Sequence, residues 1–251
     1  MASEIRKYLS SGVEILKEDV NGLVAIAKPS GSRTHPNVHH TSSPKAIAPY
    51  VYDFEKECYH LPDRNALFVL HRLDAPTSGV MLVTLNEKVA DAVRHAFRDR
   101  RCHKTYQAWV KKGAALPKSG IWRDTLSETR TASVLRAHRD VDGVLAETHY
   151  EIMETVRIGA DSLWRFCLCP HTGRTHQLRV QCALRKCPIL GDKTYGDFHW
   201  NRVLAQRIGR KDLFLRSVRI ALDYHLNSQD FYFCAEQMPG DFWDLARISS
   251  R

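Results

Sequence analysis

Short apolar segments rich in branched and aromatic side chains recur along the chain, but they do not alternate with long amphipathic helices. Parallel doubly wound sheets require that alternation, because a helical crossover joins each pair of parallel strands. The pattern therefore predicts a mixed α+β fold with a mostly antiparallel sheet. We predict strands over residues 13–17, 23–28, 66–70, 80–83, 103–110, 147–156, 163–169, 213–222 and 231–235, a hairpin or loop over 123–138, and helices over 44–58, from 86 onward, and over 175–185, 201–208 and 240–248.

A single domain is the expectation for a chain of 251 residues of which 43% are hydrophobic, since this length supplies a full core. We predict a short polar arm over residues 1–12 and one domain over residues 13–251. The sequence shows neither an apolar run of membrane-spanning length nor the apolar block of a secretory signal, so a cytoplasmic location and no membrane partner are expected. The seven cysteines predict reduced thiols rather than a disulfide framework.

Positive charge is concentrated in one segment of the chain. The 37 Lys and Arg against 28 Asp and Glu give a net charge of +9. Residues 157–219 contain 13 Lys and Arg but only 4 Asp, a difference as large as the whole excess. Trp164, Tyr195, Phe198 and Trp200 are interleaved with these charges. A basic field that also offers stacking side chains favours a nucleic-acid partner, and a solvated basic face is the alternative.

A polar stretch around Asp74 separates two of the predicted strands. If the backbone stays extended there, Arg72 and Asp74 share one face and Leu73 occupies the other. A cation beside Asp74 would keep the carboxylate ionised in a partly dry place, where it can act as a nucleophile or base. Pro76 and Gly79 favour a turn after it. The alternative is a surface turn with a solvated Arg–Asp pair.

A second informative stretch covers residues 171–180. Gly173 ends a loop, and Thr175 is a suitable N-cap for the helix that follows. On that helix Thr175, Arg179 and Cys182 lie on one side. Arg179 could therefore project into a cleft, and the alternative is an ordinary surface arginine.

Cysteine and histidine spacing raises the question of a zinc site. Cys167 and Cys169 fall on one face of a predicted strand, and His171 with Cys182 or Cys187 could complete a ligand set. The chain has no second closely spaced cysteine pair. We therefore predict buried, reduced cysteines and no metal, because cysteine is among the most buried residue types.

Five blocks of this sequence resemble, in the same order, blocks of the RluA family of pseudouridine synthases. They are Lys28-Pro29-Ser30-Gly31 with His35-Pro36, residues 71–79, Lys104-Thr105-Tyr106, residues 172–180 and residues 188–196. The resemblance implies the pseudouridine synthase fold, a long mixed, mostly antiparallel sheet with flanking helices and a central basic cleft. It also implies one catalytic domain. Residues 1–12 are too short for a leading S4-type module, so the family branches that carry one as a rule are not expected.

The same resemblance implies an isomerase that converts a uridine of RNA to pseudouridine. Asp74 falls on the family's catalytic aspartate, and Arg72 on the arginine that fills the gap left by the extruded nucleotide. Tyr106 aligns with the tyrosine that stacks on the target base and is a candidate proton acceptor. Arg179 aligns with the arginine that pairs with the catalytic carboxylate. No cofactor is implied, because the isomerisation exchanges no electrons, and we expect a monomer.

Further residues in the matching blocks are expected to contact RNA, namely Lys104, Arg174 and His176. The chain departs from the family at Gln181, where a histidine often follows Arg-Val. This departure bears on a phosphate or structural contact, not on the chemistry.

The substrate is less constrained than the reaction. Residues 146–150 and 196–202 look most like the branch that modifies a tRNA uridine at the base of the T-stem. A tRNA substrate is therefore favoured, and the alternative is the same chemistry on 23S rRNA or on both RNAs. Two other classes stay open. One is an RNA-binding protein without catalysis, and the other is a glycoside hydrolase that uses Asp63 and Asp74 as paired carboxylates.

Overall fold

A computed structural model describes residues 2–38, 41–113, 115–130, 135–159 and 161–240. In chain order its elements are α1 (Ala2–Arg6), β1 (Glu14–Glu18), β2 (Leu23–Lys28), β3 (Tyr52–Asp53), β4 (Cys58–His60), β5 (Ala66–Val69), β6 (Ser78–Thr84), α2 (Glu87–Arg98), β7 (Cys102–Lys111), β8 (Ser119–Arg130), β9 (Leu135–Arg139), β10 (Val144–Ile158), β11 (Asp161–Pro170), α3 (Gln177–Leu184), α4 (Phe198–Ile208), β12 (Leu215–Leu226) and β13 (Gln229–Glu236). The chain divides into two compact units, Met1–Lys104 with Ser217–Met238 and Thr105–Arg216 with Pro239–Arg251.

The first unit is an antiparallel sheet covered by α2. Its strands follow the order β3-β4-β5-β6-β12, with β13 beside β12, and β2 pairs with both β6 and β1. The core comprises buried residues of β2, β6, β12 and the apolar face of α2. Helix α2 begins as the sequence predicts, because the Asn86 side chain caps it by accepting from the Lys88 amide at 3.0 Å.

The predicted helix over residues 44–58 is wrong, since the structure has turns and the two short strands β3 and β4 there. Pro49 lies in the middle of that range, and its ring is incompatible with a helix interior. The backbone on either side of Ala46 also forms hydrogen bonds with the distant residue Arg33. The Arg33 amide donates to the Lys45 carbonyl at 2.7 Å and the Ile47 amide donates to the Arg33 carbonyl at 2.9 Å, which forms an isolated parallel bridge.

The second unit is an antiparallel sheet of long strands in the order β7-β11-β10-β8-β9. Residues 123–138 were predicted as a hairpin or a loop, and the antiparallel β8–β9 pair confirms the hairpin. One core cluster joins Trp109 of β7 to residues of β10, β11 and α4, and a smaller one joins Val180 of α3 to Leu126, Ala137 and Ala146.

These observations confirm the predicted α+β fold class, because every strand pair with a described register is antiparallel and the helices are few. The predicted helix over residues 240–248 lies almost wholly outside the described residues. Residues 1–12, predicted as a polar arm, include α1 and bury Ile5 and Tyr8. No helix within the described ranges is long and apolar enough to cross a bilayer.

Candidate active site

Asp74 lies in the turn that joins β5 to β6 in the first unit. The Thr77 amide donates to the Asp74 carbonyl at 2.9 Å and closes the turn at Pro76. Leu73 is buried, Arg72 is exposed and Asp74 is half-buried, which is the alternation that the sequence predicts. An anchored backbone therefore fixes the position of the half-buried Asp74.

Residues just after β2 hold this turn from one side. The Thr34 hydroxyl donates to the Leu73 carbonyl at 2.8 Å and accepts from the Leu73 amide at 3.1 Å. The Gly31 amide donates to the Ala75 carbonyl at 2.8 Å, and the Ser30 hydroxyl donates to the Pro76 carbonyl at 3.0 Å. Hydrogen bonds thus join the block Lys28–Gly31 to the block of residues 71–79, both of which carry the family resemblance.

Gly79 fixes where the turn ends and β6 begins. Its φ of +114° is a conformation that residues with a Cβ rarely adopt. A Cβ there would also lie 2.0 Å from the carbonyl oxygen of Ser217 on β12. Only glycine allows the two backbones to approach this closely, so the position of the turn depends on it.

Lys28 is a site residue that sequence reasoning missed. Its side chain is 1% exposed, and Nζ donates to the carbonyls of Pro29 at 3.1 Å, Ser32 at 2.5 Å and Ala75 at 3.1 Å. Burial lowers its pKa to about 7, and the negative charge of Asp74 opposes that shift. A lysine at the end of an otherwise apolar, fully buried strand was the available signal.

The exposed Arg72 side chain contacts His35. Arg72 Nη1 lies 3.4 Å from His35 Nε2, and the His35 ring stacks on Tyr52 with a centroid distance of 5.0 Å and an interplanar angle of 16°. Burial lowers the pKa of His35, and the charge of Arg72 lowers it further. A neutral His35 can accept a hydrogen bond from the guanidinium.

Lys104, predicted to contact RNA, lies in the first unit beside the aromatic ring of α2. Its Nζ is 5.9 Å from the Phe97 ring centroid, and burial lowers its pKa. The structure therefore gives Lys104 a packed environment, and its contact with RNA stays a prediction.

Tyr106 and Arg179 both belong to the second unit. Tyr106 is buried on β7, opposite Leu168 of β11. Arg179 is 5% exposed on α3 and makes a bidentate ion pair with Asp192, Nε–Oδ2 at 2.8 Å and Nη2–Oδ1 at 2.9 Å. Its guanidinium also lies 5.2 Å from the Tyr195 ring centroid. The alternative of an ordinary surface arginine is therefore wrong.

Asp192 is a second residue that the sequence analysis did not single out. Burial acts to raise its pKa, but the Arg179 guanidinium and the amides of Thr194 and Tyr195 outweigh burial and hold the pKa below its usual value. Asp192 therefore fixes Arg179 in one orientation. Its place in the Gly-Asp-Lys-Thr-Tyr-Gly block was the available signal.

The helix carrying Arg179 begins differently from the prediction. The N-cap is His176 in the left-handed conformation, with φ of 54°, and not Thr175. His176 Nδ1 lies 2.9 Å from the Tyr195 hydroxyl. The exposed Arg174 donates from Nε to the Leu145 carbonyl at 3.2 Å. The structure thus brings His176 next to Tyr195 and leaves Arg174 at the surface, while the RNA contacts of both stay predictions.

Gln181, where the sequence departs from the family pattern, is completely buried. Its Nε2 donates to Asp124 at 2.9 Å and to the Ala146 carbonyl at 3.1 Å, and its Oε1 accepts from Thr148 at 2.7 Å. The departure therefore falls on an internal structural contact.

The structure describes the residues on which two alternatives depend, namely the glycosidase carboxylate pair and the cysteine zinc site. Asp63 of the proposed glycosidase pair accepts from the Tyr8 hydroxyl and lies 3.6 Å from Lys7 Nζ. All seven cysteines are free thiols, and Cys187 Sγ lies 3.2 Å from the Cys182 carbonyl inside the protein. The grouping of Asp74 with Tyr106 and Arg179, and the basic cleft, stay predictions from the resemblance.

Comparison with known proteins establishes the family. The model of the RNA pseudouridylate synthase family matches residues 22–184, and this chain belongs to that family. It is therefore an isomerase, an RNA pseudouridine synthase of the RluA type.

The chain is also similar to individual members of the family. The chain is 30% identical over 230 residues to tRNA pseudouridine synthase C of Haemophilus influenzae, covering 89% of this chain and 92% of that protein. It is also 30% identical over 196 residues to ribosomal large subunit pseudouridine synthase C of Rickettsia conorii, covering 77% of this chain and 59% of that protein. Among solved structures, human RNA pseudouridylate synthase domain containing 4 matches with a TM-score of 0.66 at 24% identity, over 98% of this chain and 95% of that one. That likeness shows the fold.

Proposed function

We propose that this enzyme converts a uridine at the base of the tRNA T-stem to pseudouridine, in the cytoplasm. The observation that carries the proposal is similarity over nearly the whole chain to proteins named tRNA pseudouridine synthase C from several bacteria. The Asp74 turn supports it, because the carboxylate sits on an anchored backbone beside a buried ammonium group.

The reaction breaks the C1′–N1 glycosidic bond of uridine and forms a C1′–C5 bond at the same sugar carbon. No electrons are gained or lost, and the proton that leaves C5 is balanced by one gained at N1. In the proposed mechanism the Asp74 carboxylate attacks the nucleotide or assists departure of uracil. The freed uracil then turns, C5 bonds to C1′, and Tyr106 accepts the proton from C5.

A uridine within a stem must leave the helix before this chemistry can occur. Unstacking and unpairing cost roughly a few kcal/mol. Arg72 is proposed to offset that cost by filling the vacated space, and its exposure and its contact with His35 support this role. Basic side chains such as Arg174 would add phosphate contacts.

The second candidate substrate is 23S rRNA. It is favoured by the relatives named ribosomal large subunit pseudouridine synthase C from two Rickettsia species, each 30% identical to this chain. Both candidates use the same proposed chemistry, so they differ only in the RNA that presents the uridine.

Site-resolved mapping of pseudouridine tests the proposal. The purified enzyme is incubated with unmodified tRNA transcripts and, separately, with transcripts of the large rRNA. We expect one modified uridine in the T-stem of tRNA and none in rRNA. Modification of rRNA alone would replace the tRNA assignment, and modification of neither would contradict both.

A further inference from the structure

Three potential metal ligands converge at one end of the β10–β11 hairpin in the second unit. Glu147 and His149 are two residues apart on β10, so their side chains point to the same face. His149 lies opposite Cys169 of β11, and His171 follows two residues later. One ligand atom from each of Glu147, His149 and His171 lies within 4.8 Å of the other two.

The distances suit a metal ion better than direct hydrogen bonds. The two imidazole rings have a centroid distance of 4.2 Å and an interplanar angle of 45°. Glu147 Oε1 lies 3.8 Å from His149 Nε2, which is too far for a hydrogen bond. Two ligand atoms bound to one tetrahedral Zn²⁺ are about 3.3 Å apart, given bonds of about 2.0 Å. Small side-chain rotations would close the difference.

Neighbouring contacts fix the backbone that carries these side chains. The His171 amide donates to the Glu147 carbonyl at 3.0 Å, and the Glu147 amide donates to the Thr172 hydroxyl at 2.9 Å. Since Glu147 and His171 are held together by their main chains, their side chains do not need a large rearrangement to share one ion.

Arg123 occupies only half of the Glu147 carboxylate. Its Nε donates to Glu147 Oε2 at 2.7 Å, while Oε1 is the oxygen nearest His149. The guanidinium orients the carboxylate but also repels a cation, so Arg123 should weaken metal binding without preventing it.

From this arrangement we propose that Glu147, His149 and His171 form a binding site for a divalent transition-metal ion such as Zn²⁺. Two imidazoles and one carboxylate are a common zinc ligand set and leave a fourth position for water or another ligand. Mg²⁺ and Ca²⁺ prefer oxygen ligands throughout, so the nitrogen donors select against them. The site is distinct from the cysteine set that the sequence suggested, with which it shares only His171.

Isothermal titration of the chelator-treated, reduced protein with ZnCl₂ tests the proposal. We expect one Zn²⁺ to bind the natural chain, and His149→Ala and His171→Ala each to weaken binding at least tenfold. Arg123→Ala should tighten binding, because it removes the competing positive charge. His199→Ala, an exposed histidine on α4, is the matched control and should leave binding unchanged.

Two results would overturn the proposal. One is no Zn²⁺ binding by the natural chain. The other is binding that survives His149→Ala and His171→Ala but is lost in the Cys167→Ser, Cys169→Ser double variant, which would assign the ion to thiolates. Thermal melts without metal check that each variant is folded.

Discussion

Lys28 shows how one side chain supports the Asp74 turn. Its ammonium group lies inside the first unit and gives its hydrogen bonds to three carbonyls, one of which belongs to Ala75. A buried charge is tolerated only when its donors are satisfied. Lys28 therefore ties the Ala75 backbone, and in its protonated form it places a positive charge near the carboxylate.

Lys28→Met should destabilise the protein and lower its activity. Losing the ammonium leaves buried carbonyls without a donor, at a cost of about 2–4 kcal/mol in the free energy of unfolding. We also expect kcat to fall more than KM changes, because Lys28 positions the turn without touching RNA. Urea unfolding and turnover measurements check both effects. Lys88→Met, at an exposed position on α2, should do neither, and a fully active Lys28→Met enzyme would refute the positioning role.

His71 adds a pH dependence to stability. Burial, with the positive charge of Lys104 adding, lowers its pKa from 6.5 to about 3, and Nε2 accepts from the Leu82 amide at 3.1 Å. Below pH 6.5 the unfolded chain binds a proton here that the folded chain does not. Stability should therefore fall as pH falls through this window, by up to about 1.4 kcal/mol per pH unit.

Urea unfolding of His71→Gln at several pH values between 7 and 4 checks this sign. The glutamine carbonyl can still accept from Leu82, but it does not titrate, so the loss of stability with acid should be shallower than in the natural protein. The exposed His199→Gln variant should keep the natural slope. Equal slopes in His71→Gln and the natural chain would contradict the assignment.

Exposure patterns that depend on neighbouring residues in the sequence were predicted well, whereas contacts between residues distant in the sequence were not. The exposure pattern around Asp74 follows from the alternation of extended backbone and from the turn at Pro76, both of which lie within residues 71–79. The ion pair of Arg179 with Asp192 joins a helix to a loop after it. Sequence spacing alone cannot show which acid approaches that arginine, so Asp192 was missed.

At the scale of elements, α3 depends on buried amide side chains. Gln181 connects the helix to β8 and β10 through Asp124, Ala146 and Thr148. Asp124 also forms an ion pair with Arg185, with Oδ2 and Nη1 2.9 Å apart. Since Arg179 is on the same helix, this network helps to place the predicted site residue.

Gln181→Leu should cost about 2–4 kcal/mol in unfolding free energy, because the buried Thr148 hydroxyl loses its acceptor and the Ala146 carbonyl loses the amide donor of Gln181. Differential scanning calorimetry measures the loss. Gln206→Leu, on the exposed face of α4, is the control. An unchanged melting temperature in Gln181→Leu would mean that the network does not hold the helix.

Helices were predicted correctly where the spacing of apolar side chains agreed with an N-cap residue. Helix α2 has both an apolar stripe and an Asn86 cap, and it was found. Residues 44–58 have helical spacing of apolar side chains, but Pro49 and the backbone bridge to Arg33 decide against a helix. A bridge between distant segments is a tertiary interaction that periodicity does not contain.

For the molecule as a whole, the concentration of positive charge between residues 157 and 219 is the feature most relevant to RNA. Binding that depends on phosphate contacts weakens as salt rises, in proportion to the number of contacts. How the two units present these charges to RNA is beyond sequence reasoning, because it depends on contacts across the whole fold.

Arg174→Ala should weaken tRNA binding and flatten its salt dependence. Removal of one phosphate contact lowers the slope of log Kd against log salt concentration by about 1. Filter binding at several salt concentrations measures the slope. Lys88→Ala, outside the basic segment, should leave it unchanged, and an unaltered slope for Arg174→Ala would remove this residue from the RNA interface.

The central claim is that the Asp74 carboxylate carries out the chemistry. The most direct measurement is tritium release from tRNA labelled at uridine C5, comparing Asp74→Asn with the natural enzyme and with Asp63→Asn. Asparagine keeps the size of the side chain and removes the charge. We predict no release with Asp74→Asn, near-natural RNA binding, and near-natural release with Asp63→Asn. Normal turnover by Asp74→Asn would contradict the account.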